Sequence, residues 1–122
     1  MGQIATTIGQ SETLLKIGVD KSTADMHYWF DANYNDWELC PCKMTNSVEK
    51  MPSWSLAALI ELMPEYIDTY ELFRIEIRHE EIVYLSASSL LRAIYGEDIF
   101  ENCINMIEWL VENGHIIKEA DR

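Results

Sequence analysis

The stretch Asp98-Ile-Phe-Glu-Asn-Cys-Ile-Asn-Met-Ile-Glu-Trp-Leu-Val-Glu-Asn-Gly114 constrains the fold of this chain more than any other. Ile99, Cys103, Met106, Ile107, Leu110 and Val111 recur at steps of three and four, which gathers them on one face of a helix. Asp98 is a good N-cap, and Glu101 stands three residues on, the spacing of a capping box. Gly114 falls where a helix ends in a residue of positive φ. An apolar stripe this long has to be buried, so the rest of the chain must supply an apolar surface for it.

That surface is read from the remaining segments in order. Residues Thr6–Ile17 carry a modest stripe of Ile8, Leu14, Leu15 and Ile17, and Gly18 can end a first helix there. Asp20, Ser22 and Thr23 suit a tight turn or one short helical turn. Met26–Phe30 is aromatic-rich and reads as a strand. Asp31–Asp36 has turn chemistry, and Trp37–Cys42 is the expected partner strand. Pro41 cannot donate a ladder hydrogen bond, so that strand belongs at an edge or is very short.

Lys43–Met51 is polar and weakly patterned, the best candidate for a mobile loop. Pro52–Met63 reads as a second helix, with Ser53 as N-cap, a stripe of Leu56, Leu59, Ile60 and Met63, and Pro64 as its stop. Across Tyr70–Ile77, Phe73, Ile75 and Ile77 alternate with Arg74 and Glu76, the pattern of a half-buried strand. Ile82–Leu85 is the next strand, joined through Arg78–Glu81 without a glycine turn. Ser88–Gly96 has a serine cap and a terminal glycine, which favours a short helix over a third strand. The sum is an α+β domain over residues 1–122: three to four helices packed on a small antiparallel sheet, with 31–51 a loop-rich insertion.

A length of 122 residues is one domain's worth of chain, and 48% apolar residues are enough to build a core. The net charge of -12 repels phosphates, which disfavours direct binding of nucleic acid or anionic membrane. No segment approaches the ~20 apolar residues that span a bilayer. Three cysteines and no export signal suggest a reducing cytoplasm.

Three blocks then stand in order along the chain: Ser22-Thr-Ala-Asp-Met26, Pro52-Ser-Trp-Ser-Leu-Ala-Ala-Leu-Ile-Glu-Leu-Met-Pro64 and Met106-Ile-Glu-Trp-Leu-Val-Glu-Asn-Gly-His-Ile116. In these the chain resembles small uncharacterised proteins of gut Bacteroidales and of their prophages and mobile elements. The matching blocks are caps, core stripes and a proline stop. The resemblance implies a bacterial cytoplasm and a phage or mobile-element origin, and it brings no catalytic or binding residue with it.

The sharpest chemical feature is Cys40-Pro41-Cys42. Two thiolates so spaced can hold a soft metal, but zinc wants four ligands. His27 approaches these cysteines if Met26–Phe30 pairs with Trp37–Cys42, so His27, Cys40 and Cys42 form the candidate metal set. The other donors, His79, Cys103 and His115, have no recognised ligand spacing. A disulfide between Cys40 and Cys42 would be strained and is not expected.

A second feature is the density of aromatics around the first hairpin. One set packs inward, and Trp29, Tyr34 and Trp37 are the candidates for an exposed binding surface. There is no glycine-rich phosphate loop, no nucleophile elbow and no persuasive carboxylate pair. The sequence therefore favours a non-enzymatic binding or adaptor protein with no cofactor and a protein partner or self-association. An acidic mimic of nucleic acid that occupies a basic host protein is a second reading. A metal protein or enzyme built on Cys40 and Cys42 is a third.

Overall fold

The computed structural model describes residues 2–43 and 50–117. Among the described residues it is the expected α+β fold, with three α-helices and with its antiparallel strands divided between two sheets rather than gathered in one. The chain divides into two compact units, with the boundary between Ile60 and Glu61.

In the first unit, α1 (Ile8–Lys16) starts at Thr7, whose hydroxyl accepts from the Gln10 N–H while the Gln10 side chain accepts from the Thr7 N–H. This reciprocal pair satisfies two of the donors that a helix start leaves open. Gly18 follows at φ 100°, a conformation that glycine reaches without the cost of a Cβ. A single helical turn, Lys21–Thr23, leads into β1 (Met26–Asp31). The chain reverses through residues 32–35, where Asn35 at φ 51° takes the left-handed position that asparagine tolerates. It returns as β2 (Asp36–Cys40), and β3 (Lys50–Ser53) pairs on the other side of β1, giving the order β2-β1-β3. Of the loop expected over Lys43–Met51, residues 44–49 lie outside the described residues.

The helix expected from Pro52 is displaced. α2 runs Leu56–Leu62, and Pro52 and Ser53 pair with His27 and Met26 of β1 instead. Proline is acceptable there because β3 is an edge strand. Ser53 is therefore not the cap. Its buried hydroxyl donates to the Thr6 carbonyl at 2.9 Å. Ser55 takes the capping role: its Oγ accepts from the Ala58 N–H at 3.2 Å, and its own N–H and hydroxyl donate to the Asp25 carboxylate. Both serines satisfy the local rule for a cap, and pairing with β1 decides between them.

The core of this unit gathers Leu14, Val19, Trp54 and Leu59. Thr6 binds its parts together. Thr6 Oγ1 accepts from the Trp54 N–H at 3.0 Å and is hydrogen-bonded to Ser11 at 2.8 Å and to Ser53 at 3.2 Å. The Trp54 indole N–H reaches Thr23 Oγ1 at 2.9 Å, so the largest buried side chain leaves no polar atom unpaired.

The second unit holds β4 (Tyr66–Asp68), β5 (Leu72–Arg78), β6 (Glu81–Leu85) and β7 (Leu90–Tyr95) in sequential order, followed by α3 (Ile99–Glu112). Asp98 Oδ1 accepts from the Phe100 and Glu101 N–H groups, and Gly114 has φ 76°. Cys103, Met106, Ile107 and Leu110 of α3 are fully buried, along with Phe73, Ile82 and Tyr84 of the sheet. The Tyr84 ring lies 6.5 Å from that of Trp109, and its hydroxyl donates to the Pro64 carbonyl at 2.6 Å.

Residues 88–96, expected to favour a short helix, contain β7. Leu90–Tyr95 pairs with β6 from Leu85↔Leu90 to Glu81↔Tyr95. The serines that suggested a helix cap instead close the β6–β7 turn. Ser86, Ser88 and Ser89 all donate to the Glu71 carboxylate, which these bonds hold below the usual glutamate range. Gly96 is needed for a close approach: a Cβ there would meet Asn102 Oδ1 at 2.6 Å. Asn102 Nδ2 donates back to the Gly96 carbonyl at 2.8 Å, which ties the end of β7 to α3.

Candidate metal centre

Antiparallel pairing of β1 with β2 places His27 directly opposite Cys40. Such a pair brings Cβ atoms within about 5 Å of each other on one face of the sheet. In a straight strand the Cys40 and Cys42 Cα atoms would stand about 6.6 Å apart. The chain instead bends at Pro41 and Cys42, immediately after β2 ends. The bend turns the Cys42 carbonyl toward His27 and carries the Cys42 sulfur back to 2.8 Å from that of Cys40. One donor atom from each of His27, Cys40 and Cys42 then lies within 4.8 Å of the other two.

The environment grades across the cluster. His27 is 5% exposed, Cys40 is half-buried and Cys42 is exposed. His27 Nδ1 lies 2.8 Å from the Cys42 carbonyl oxygen. A carbonyl can only accept, so Nδ1 carries a proton and Nε2 is the ring nitrogen left for a metal. A backbone carbonyl that fixes the tautomer in this way is the usual support of a metal-binding histidine. The hydrogen bond with Cys40 holds the Cys42 thiol above its ordinary pKa; burial and the charge of Cys40 add to this, while the Lys50 ammonium opposes it.

The two cysteines are free thiols. Their separation of 2.8 Å is shorter than the about 3.7 Å between two thiolates on one tetrahedral zinc ion. Ligation therefore requires the sulfurs to open by about 1 Å, and rotation of the exposed Cys42 side chain supplies that movement. The remaining donors are elsewhere. Cys103 is buried in α3, where its surroundings, with a smaller contribution from Asp98, push its thiol up to about 12 and leave it unreactive. His115 packs its ring 5.5 Å from that of Trp109. Neither these nor His79 joins the cluster.

The aromatic candidates separate. Trp29 is 41% exposed and lies opposite Glu38, on the same sheet face as His27 and Cys40. Trp37 lies on the other face, edge-on to Phe30 at 5.5 Å. Tyr34 stands in the turn between the strands and is 77% exposed. The three do not form one patch, because neighbouring positions along a strand face opposite ways.

One participant was missing from the sequence reading. Lys50 of β3 pairs with Trp29 and places its charge near Cys42, and only the β1–β3 register brings it there. Comparison with protein-family models, with curated proteins and with solved structures gives no match for this chain. No helix among the described residues is long and apolar enough to cross a membrane.

Proposed function

We propose that this is a small metal-binding protein that holds one thiophilic ion, zinc or copper(I), at the open end of the β1–β2 hairpin. The observation that carries this reading is the convergence of one imidazole and two thiols within 4.8 Å, produced by the His27↔Cys40 register and the bend at Pro41. Deprotonated sulfur and neutral imidazole are the ligands that soft and borderline ions select. The carbonyl-supported His27 is the anchor, and the two cysteines close on the ion from the solvent side.

The test is a titration of the reduced protein with zinc at neutral pH, followed by calorimetry. One ion per chain, with proton release and with binding lost in Cys42→Ser, is the expected result. No binding of zinc, and none of copper(I) under reducing conditions, by the wild-type protein ends the proposal. Because Cys42 is exposed, Cys42→Ser leaves the fold intact, and an unchanged circular dichroism spectrum verifies this.

A second reading, a binding or adaptor protein, is supported by the exposure of Trp29 and Tyr34 on the same hairpin. It predicts that a partner captured by the wild-type protein is lost when both are replaced by alanine. The two readings share the hairpin but differ in the residues on which they depend.

A further inference from the structure

We infer that the ion this site is built for is copper(I), held three-coordinate and exchanged with thiolate donors in solution; the inference rests on the metal-binding reading above. Three observations lead to it.

The first is the ligand count. Among the described residues the donor cluster has three members, one nitrogen and two sulfurs. Structural zinc is closed by four protein ligands, and a three-ligand zinc site keeps an open position for water or substrate. Copper(I) is a soft, monovalent ion of filled d shell that is satisfied by two or three soft ligands. A set of two thiolates and an imidazole therefore completes its coordination without a further residue.

The second observation is charge. Two thiolates around a monovalent ion leave one net negative charge. Lys50 of β3 stands opposite Trp29, on the sheet face that also carries His27 and Cys40, so it brings a positive charge to the side of the sheet that holds the ligands. Around zinc the same two thiolates are already neutralised, and Lys50 has no charge left to balance.

The third is access. His27 is buried, whereas Cys42 is exposed and follows the last residue of an edge strand. An incoming thiolate reaches the ion from the Cys42 side, bonds to it, and displaces Cys42 and then Cys40. His27 is the last ligand to leave. Loading releases the two thiol protons to solvent and unloading takes them up again, with the metal remaining copper(I) throughout. A fully enclosed ion could not exchange by this route.

The experiment is a competition under anaerobic, reducing conditions. The protein is titrated against the copper(I)–bicinchoninate complex, whose colour reports transfer, and separately against a zinc indicator. Wild type, Cys40→Ser, Cys42→Ser and Lys50→Gln are compared. Copper(I) taken up at one ion per chain, and retained when equimolar zinc is added, supports the inference. Either cysteine variant should weaken copper(I) binding by more than the about 10- to 100-fold that loss of a supporting contact alone costs. Lys50→Gln should weaken copper(I) more than zinc, and an equal loss for both ions overturns the charge argument. Zinc binding at one per chain with no preference for copper(I) overturns the ion assignment and leaves the metal-binding reading standing. Failure to bind either ion removes both. X-ray absorption of the copper-loaded protein should give a shell of two sulfurs and one nitrogen, and a four-sulfur shell, which needs two chains, overturns the three-coordinate site.

Discussion

Among the described residues, thirteen of the twenty buried apolar side chains lie in the second unit and seven in the first, whereas four of the five buried polar side chains lie in the first. The second unit is ordered by apolar burial: the stripe of α3 covers one face of β6 and β7, and Asn102 is its only buried polar side chain. The first unit is ordered by a hydroxyl cluster of Thr6, Ser11 and Ser53 around one tryptophan, with His27 buried beside free thiols. Apolar packing depends on summed area and volume and tolerates small changes. A buried polar network depends on every member, because any group left without a partner carries its full desolvation cost. The unit with the smaller apolar core is thus the more specified one, and it is the unit that carries the candidate chemistry.

This contrast can be broken most directly in the two cores. Trp54→Ala should destabilise the protein by about 3–5 kcal/mol, and Ile107→Ala by about 2–5 kcal/mol, read from urea midpoints. The contrast lies in rescue. Ile107→Leu, which keeps volume, should cost under about 1.5 kcal/mol. Trp54→Phe should cost more than the lost volume accounts for, because Thr23 Oγ1 loses its indole donor and keeps only its own bond to the Asp20 carbonyl. Equal recovery in both units would show that the contrast is false.

A middle-sized effect isolates the hydroxyl cluster. Thr6→Val keeps shape but removes the oxygen that accepts from the Trp54 N–H and meets Ser11 and Ser53. It should cost about 1–3 kcal/mol and speed hydrogen exchange at the Trp54 amide. Unchanged exchange there would mean that the cluster is not what orders this unit.

The smallest effect belongs to Glu71, on the exposed loop of the second unit. Hydrogen bonds from Ser86, Ser89 and Ser88 hold its folded-state pKa below the ordinary value. A depressed carboxylate contributes stability above its unfolded pKa and loses it as pH falls through the folded one. Glu71→Gln should therefore narrow its gap to wild type in acid, below the usual glutamate range, and show its full deficit near neutrality. A gap independent of pH would assign the serines a purely steric role. Here the apolar unit relies on a polar network at the surface, where water compensates most of the loss.

How much of this could be read without coordinates follows from the range of the signals. The α3 helix was largely legible, because its stripe, its Asp98 cap and its Gly114 end are each signalled by residues close in sequence; Asp98 caps without the expected return bond from Glu101, Ile99 is only half-buried, and Phe100, Asn102 and Ile104 join the buried face. The end of α1 at Gly18 and the turn before Asp36 were legible for the same reason. His27, Cys40 and Cys42 were recognised as a conditional set, because period-two alternation places His27 opposite Cys40 once the strands pair.

What tertiary structure decided is every case in which two local rules were both satisfied. Ser53 and Ser55 are equally good caps, and the free edge of β1 drew the first into a strand. Ser88–Gly96 fits a short helix or a strand, and the open side of β6 resolved it as β7. The 2.8 Å approach of the two sulfurs and the arrival of Lys50 belong to this class as well, since neither bend nor register is encoded within the residues that meet. A helix forms its hydrogen bonds within itself and so announces itself locally. A strand forms them with a neighbour, and a donor cluster needs two or more segments in register, so both are settled only when the chain has folded.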